Sequence, residues 1–537
     1  MSEHSQSIEL HPSGEQPVVD LSSDSPVPID TYAGRIEIDW DPEASVTPLG
    51  QLPFFVEYLK QAGLFDGWVA GCPLRYTSPN APTCRDLLGT VLLSILSGHR
   101  RYAHITALRS DRVSPDLLGM KRVLSEDAVR RGFEKIDPVQ GARWLQEQLD
   151  YATRPLLGED WILDVDTTVK PLYGHQEGAV VGYNPRKPGR PSHSYHSYIL
   201  ANLRLVLGVE VQAGDAHTSK HSAPGVWALL DGMGRANGPT LLRGDADWGN
   251  EPVMREAERR GLPYLFKLRR MANVKRALER AMLRDGWEAA GHGWEGQWSE
   301  LRLIGWTRKR RVVLLRRKLD PALAISQTDA NGQRQLAFAT IDARREIWEY
   351  AALVTSVDAE IRTIGQLYRD RGDCENDFDE LKNQWGWGGY TTQDLGRCRL
   401  MAGCVALVFN WWNLFVRLAD PDHHREAITS RPLLLSAIGR QTTHAGRKTL
   451  HVSSPHGRHG WARQAFARIG RFFAELRQTA EQLTPLDRWC RILSQALVKY
   501  LHGRQLSPPP AWRRPGPQPE VENPLAGVST AKANCRI

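Results

Sequence analysis

Three groups of residues in this sequence have the types and spacing for metal and phosphate chemistry. The first is Asp164-Val165-Asp166-Thr167-Thr168, which closes the apolar run beginning at Trp161. Side chains alternate along a strand, so Asp164 and Asp166 share one face while Leu163 and Val165 share the other. A carboxylate on a central strand is costly to bury unless it meets a cation or a donor, which makes both acids candidate metal ligands. The competing reading is an Asp that starts a turn or caps a helix. In the second group, the strand Leu241-Leu242-Arg243 ends in Gly244-Asp245-Ala246-Asp247. Open α/β sheets place their sites in loops at strand ends. Asp245 is therefore assigned to metal, and Asp247, inside the turn, to capping the helix expected after Asn250.

The third group runs from Tyr368 to Lys382. At about 100° per residue, Tyr368, Arg371, Glu375 and Lys382 fall within an arc of roughly 60° on one helix face. Ile364, Leu367, Cys374, Phe378 and Leu381 form the neighbouring apolar stripe, so the polar ridge lies at the edge of the buried face. An acid flanked by two cations and a phenol could bind metal through Glu375 and phosphate through the others. A surface network of helical ion pairs has the same spacing.

The elements that must position these groups follow from the hydrophobic pattern. Residues 1–45 are rich in Ser, Pro, Asp and Glu and poor in large apolar residues, which predicts a disordered arm. Helical periodicity then holds through residues 46–157, which are read as a DNA-binding domain. In it Ser125 caps a helix carrying Arg130 and Arg131, and a basic cluster includes Arg100 and Arg101. A solvated amphipathic helix is the plainer reading of that helix. Residues 158–270 alternate short β-type runs with helical stretches and form the first part of a mixed α/β sheet. Residues 271–354 are read as an inserted β-rich unit, where Leu301 to Lys318 holds eight Lys or Arg and no Asp or Glu. Trp298 and Trp306 border or punctuate that basic stretch and are candidates for stacking on an unpaired base; filling the small core of the insertion is the alternative. Residues 355–420 complete the core with the Glu375 helix, 421–503 are helical, and 504–537 form a polar tail opened by Pro508-Pro509-Pro510.

With 69 Lys and Arg against 61 Asp and Glu, the 537-residue chain carries a net charge of +8, which favours a polyanionic partner such as nucleic acid. The seven Cys form no CxxC pair and have no zinc-type spacing, which fits a reducing compartment. The start lacks a secretion signal, and no stretch is read as reaching the 18 or so apolar residues of a membrane span. A soluble cytoplasmic protein is the expectation.

Tyr-x2-Arg-x3-Glu-x6-Lys, complete from Tyr368 to Lys382, resembles the YREK signature of bacterial insertion-sequence transposases of the DDE superfamily. Asp166-Thr167-Thr168 and Arg243-Gly244-Asp245 resemble the segments around their first and second catalytic acids. Gly174-His175-Gln176-Glu177-Gly178-Ala179, with Gly182-Tyr183-Asn184-Pro185 and Gly189-Arg190, is similar to one branch of that group. After Asp245 the chain reads Ala-Asp-Trp-Gly in place of that branch's Ser-Gly-Phe. The resemblance covers about residues 160–411. It implies a ribonuclease-H-like core in which Asp166, Asp245 and Glu375 converge on two Mg²⁺ or Mn²⁺ ions. It also implies double-stranded DNA partners, transposon ends and target, and a synaptic homodimer. Under it, Tyr368, Arg371 and Lys382 position the DNA end, and Trp298 or Trp306 handles a displaced base. Two other functions compete with strand transfer: a ribonuclease-H-like nuclease that cuts without joining, and a domesticated DNA-binding protein.

Overall fold

The structure, a computed structural model, describes residues 26–509 apart from 79, 186, 320–338, 342–346, 454–455 and 480–481, and it leaves the side chains of 339–341 and 373–375 undescribed. The chain divides into two compact units at Ser45. In the first, Val27–Thr31 and Gly34–Ile38 pair as an antiparallel hairpin. This corrects the reading of the whole arm as disordered. Val27, Ile29, Thr31, Ile36 and Ile38 supply a two-residue β-branched alternation inside an otherwise polar stretch. Residues 1–25, and 510–537 of the expected tail, lie outside the described residues.

The second unit is built on a large mixed sheet. Its centre comprises β1 (Ile162–Pro171), β2 (Pro191–Leu200), β3 (Leu205–Ala213), β4 (Leu241–Gly244) and β5 (Tyr264–Lys267). The spatial order is β3-β2-β1-β4-β5, with β1, β2 and β3 antiparallel and β1, β4 and β5 parallel. This is the ribonuclease-H-like arrangement expected from the resemblance. β1 does not close with Asp164 to Thr168 as the sequence suggested. It runs on to Pro171 because β2 pairs with it along its whole length, to Pro171↔Ser192. Before β4 and again before β5 the chain needs helices to return, and α5 (Ser219–Met233) and α6 (Glu251–Arg260) supply these crossovers.

The β-rich insertion is not a unit apart. It contributes β6 (Glu288–Gly291), β7 (Trp294–Leu301), β8 (Arg310–Lys318) and β9 (Ile347–Thr355), and β9 pairs antiparallel with β5 through Val354↔Phe266. The central sheet thus continues into it. Along β4, β5 and β8 alternate apolar residues face opposite ways. Leu242, Phe266, Val312 and Leu314 join the main core. Leu241, Leu265, Val313 and Leu315 form a second core with Ile361 and Ile364 of α7 (Ile361–Arg369). That second core holds α7, and α8 (Gly372–Asn383) after it, on one face of the sheet.

The helices of residues 46–157 also fail to separate as a domain. α1 (Leu52–Gln61), α2 (Cys84–Leu96), α3 (Glu126–Glu134) and α4 (Pro138–Thr153) pack around α9 (Leu395–Ala419), whose other neighbours include β3. α9 is long and apolar enough by length and composition to cross a membrane, which corrects the expectation that no stretch reaches that length; its charges, Arg397, Arg399 and Arg417, lie near its ends. It is buried as a core helix. Its Asn410 completes the β3 backbone, accepting from the Val206 N–H at 2.8 Å and donating to the Val206 carbonyl at 2.7 Å. A polar group buried this deeply must be paired.

Candidate functional site

The register of the two central parallel strands sets the geometry. Asp164 stands opposite Arg243, and both are almost wholly buried, at 1% and 2% exposure. Arg243 donates Nε to Oδ1 of Asp164 at 2.6 Å and Nη2 to Oδ2 at 2.7 Å, a bidentate charge-assisted pair. Its Nη1 donates to the Leu367 carbonyl of α7. One side chain therefore ties β1, β4 and α7 together, and it engages both carboxylate oxygens of Asp164, the first of the two acids of β1. Arg243 was legible as an Arg inside an apolar strand, since a buried cation requires an acid, but its partner lies 79 residues away in sequence.

Asp166 shares the face of Asp164, one step beyond the Val165↔Gly244 pair; the same step along the other strand reaches Asp245. The backbones of the two acids are thus neighbours where β4 ends. Asp166 accepts the Thr167 N–H at Oδ1, 2.7 Å away, and the Arg371 guanidinium at Oδ2. Asp245 accepts the Asp247 N–H at 2.9 Å. On the opposite face of β1, Thr167 Oγ1 lies 2.7 Å from His196 Nδ1, and His196 Nε2 lies 2.7 Å from the Ala216 carbonyl. A carbonyl can only accept, so Nε2 carries the proton and Nδ1 accepts from Thr167. Burial pulls the His196 pKa down to about 4, which keeps this link neutral.

The predicted polar ridge is not one continuous helix. α7 ends at Arg369, Arg371 sits at the junction with an i→i−3 bond to the Tyr368 carbonyl at 3.2 Å, and α8 begins at Gly372. Backbone angles stay right-handed through the junction, so it is a tightened turn and not a reversal. Arg371, 5% exposed, reaches back to Asp166. Lys382 Nζ donates to Thr168 Oγ1 at 2.9 Å. These contacts lay α8 along β1. Position 375 is one turn from Arg371 and two turns from Lys382, so it falls on that same helix face. The Glu375 side chain itself lies outside the described residues. Tyr368 is half-buried against the second core.

Other predicted residues are placed differently. Asp247 caps α5 and not the following helix: its carboxylate accepts the Ser219 N–H and pairs with Arg269, while Asn250 caps α6 through Val253 N–H at 3.2 Å. Trp248, part of the departure after Asp245, is buried against Gly244, where a Cβ would lie 2.7 Å from the indole. Trp306 is 6% exposed and belongs to the main core, so the base-stacking role expected of it is withdrawn. Trp298 is half-buried against the second core, with Arg311 4.1 Å over its ring. Nor is the basic stretch of residues 301–318 one-sided in space. Arg310 pairs with Glu251 and Glu258, Arg311 with Asp358, Arg316 with Glu295 and Arg317 with Glu349. Ser125 caps α3 through the Ala128 N–H at 3.3 Å as expected; Arg130 pairs with Glu126 and Asp127, and Arg131 is exposed.

Among the described residues no group of three or more His, Cys, Asp and Glu stands close enough to hold a metal. Asp166 and Asp245 nevertheless fit one. Both are hard oxygen donors, both are partly exposed, and they lie on one face of adjacent strands, the donor type that Mg²⁺ and Mn²⁺ take. Arg371 would share Asp166 with such an ion.

A ribonuclease-H-like sheet with two Asp side by side under a helix bearing a Glu has the layout of the DDE superfamily. Residues 78–473 match the family described as transposase DDE domain group 1, and the chain belongs to that family. No curated protein matches the chain. Among solved structures the chain is similar to one described as the cryo-EM structure of a piggyBac transposase synaptic complex with hairpin DNA. The identity is 11%, the match covers 84% of this chain and 85% of that one, and the TM-score is 0.37.

Proposed function

We propose that this transposase binds the terminal inverted repeats of a bacterial insertion sequence and catalyses strand cleavage and transfer into target DNA. It belongs on this reading to the YREK group, acts as a homodimer that pairs two ends, and works on the nucleoid in the cytoplasm. The observation that carries the reading is the juxtaposition of Asp166 and Asp245 beneath α8, which Arg371 and Lys382 fasten to the same stretch of β1. Two divalent ions held by Asp166, Asp245 and Glu375 would activate a water or 3′-hydroxyl and stabilise the leaving oxygen. The chain's own groups position the substrate. Arg371 and Lys382 bring positive charge to the Asp166–Thr168 edge, where a DNA phosphate meets charge-assisted donors without having its base read. The neutral Thr167–His196 link keeps that edge fixed.

The test is to incubate the full chain with the element's terminal DNA and Mg²⁺, then map nicks and joined products. Nicks at the ends with joined products support the reading. Nicks that never proceed to joining identify a nuclease, and end binding without cleavage in Mg²⁺ or Mn²⁺ identifies a DNA-binding protein. In the same assay, Arg371→Ala and Lys382→Ala are expected to lower cleavage. Each should also flatten the dependence of log affinity on log salt by about 0.9, the value of one phosphate contact. An unchanged slope together with normal cleavage would reject the positioning role.

A further inference from the structure

Beyond Thr168, β1 leads into a feature that the proposed chemistry does not use. Lys170, on the face of Asp166, is buried and donates to the Gly389 carbonyl, and burial pulls its pKa down to about 8. This anchors the loop after α8 to the end of β1. The same loop is bolted to the helical layer, because Tyr390 N–H donates to the Arg100 carbonyl at 2.7 Å and Tyr390 Oη lies 2.8 Å from Ser94 Oγ. Where these parts meet, a cleft of about 940 Å³ opens, lined by Arg100, Arg101, Arg130, Tyr173 and Gly388–Thr391 among others, and no Asp or Glu is among its lining residues.

Arg100 and Arg101 are exposed there. Tyr173 is 68% exposed, with Lys187 Nζ 5.0 Å and Arg190 Cζ 4.9 Å from its ring centroid. These residues belong to the β1–β2 connection, the Gly-rich stretch from Gly174 to Arg190 whose signature the sequence displays. Its one carboxylate, Glu177, is engaged at the Leu395 N–H at 3.0 Å and leaves the rim to the cations. From Asp166 to Pro171 the strand covers about 17 Å at roughly 3.3 Å per residue. That corresponds to about five nucleotides at 3.4 Å per step.

We propose that this cleft holds the unpaired DNA strand next to the scissile phosphate, with Tyr173 stacked on a base and Arg100 and Arg101 on the phosphates of that strand. The inference rests on the reading of the chain as a transposase acting on DNA ends. An exposed aromatic ring among cations is the combination that binds single strands with little sequence preference, through stacking and backbone attraction. The tryptophans of the insertion do not offer it, since Trp306 is buried and Trp298 is half-buried against the second core.

The experiment uses the full chain with two probes: a blunt terminal duplex, and the same duplex with a six-nucleotide single-stranded extension at the cleavage end carrying 2-aminopurine. The wild type and Tyr173→Phe are expected to bind the extended probe more tightly than the blunt one and to quench its 2-aminopurine. Tyr173→Ala should lose that quenching and about tenfold in affinity for the extended probe, while blunt-duplex affinity and the melting temperature stay unchanged. Arg100→Ala with Arg101→Ala should reduce the salt dependence for the extended probe alone. Equal wild-type affinity for both probes, or a Tyr173→Ala variant that still quenches, would overturn the cleft assignment while leaving end binding intact. Failure of the wild type to bind either probe would overturn the underlying reading as well.

Discussion

Replacing Asp166, Asp245 or Glu375 with Ala is expected to lower strand cleavage and joining by about a thousandfold or more while binding of the DNA end survives. Metal ions contribute several kcal/mol of transition-state stabilisation, and each ~1.4 kcal/mol is a factor of ten in rate. Affinity for DNA, by contrast, comes mainly from phosphates meeting Lys and Arg. The structure sharpens this prediction through its control. Asp164 lies two residues from Asp166 on the same face, yet it is bonded to Arg243 and buried. Loss of Asp166 should therefore remove activity with the melting temperature kept, whereas loss of Asp164 should remove stability first. The comparison reads single-turnover cleavage, end binding and thermal melting on the same preparations. Substantial cleavage by any of Asp166→Ala, Asp245→Ala or Glu375→Ala would reject the assignment of that acid.

Arg243→Met is expected to lower the free energy of unfolding by about 3–5 kcal/mol, the cost of leaving a buried carboxylate without its partner. Asp164, 1% exposed, has no route to water, and Arg243 also holds the Leu367 carbonyl at the start of the turn leading to Arg371. Adding Asp164→Leu to Arg243→Met should restore much of the loss, because replacing both members of a buried pair with apolar residues is often close to neutral. Denaturant unfolding of the two single variants and the double variant closes the cycle. A single variant within about 1 kcal/mol of wild type would mean that the pair is solvated in solution.

The sheet, the order of its elements and the acids on β1 and after β4 were legible because they rest on local pattern. Two-residue alternation places Asp164 with Asp166, and a strand that stops at Gly244 puts Asp245 at its end. What was not legible depends on partners distant in sequence. Nothing local distinguishes Asp164 from Asp166 until Arg243 is seen opposite one of them. The continuation of β1 to Pro171 depends on β2, and the break between α7 and α8 depends on Arg371 turning back to Asp166. Charge density misled in the same way, since Arg308, Arg310, Arg311, Arg316 and Arg317 of the basic stretch meet acids from β7, β9, α6 and the segment before α7. Separate domains were inferred from changes of texture along the chain. One long buried helix, α9, instead draws the helical layer onto the sheet.

The central claim is that acids from β1, the end of β4 and α8 share bound divalent ions. The measurement that reaches it most directly puts Fe²⁺ in place of Mg²⁺, adds ascorbate and peroxide, and maps the backbone cuts made by hydroxyl radicals released at the bound ion. The account predicts cuts beside Asp166, beside Asp245 and in α8 beside Glu375, all suppressed by excess Mg²⁺ and all lost together in Asp166→Ala. Cuts beside the two Asp with none in α8, or a pattern indifferent to Mg²⁺, would contradict it.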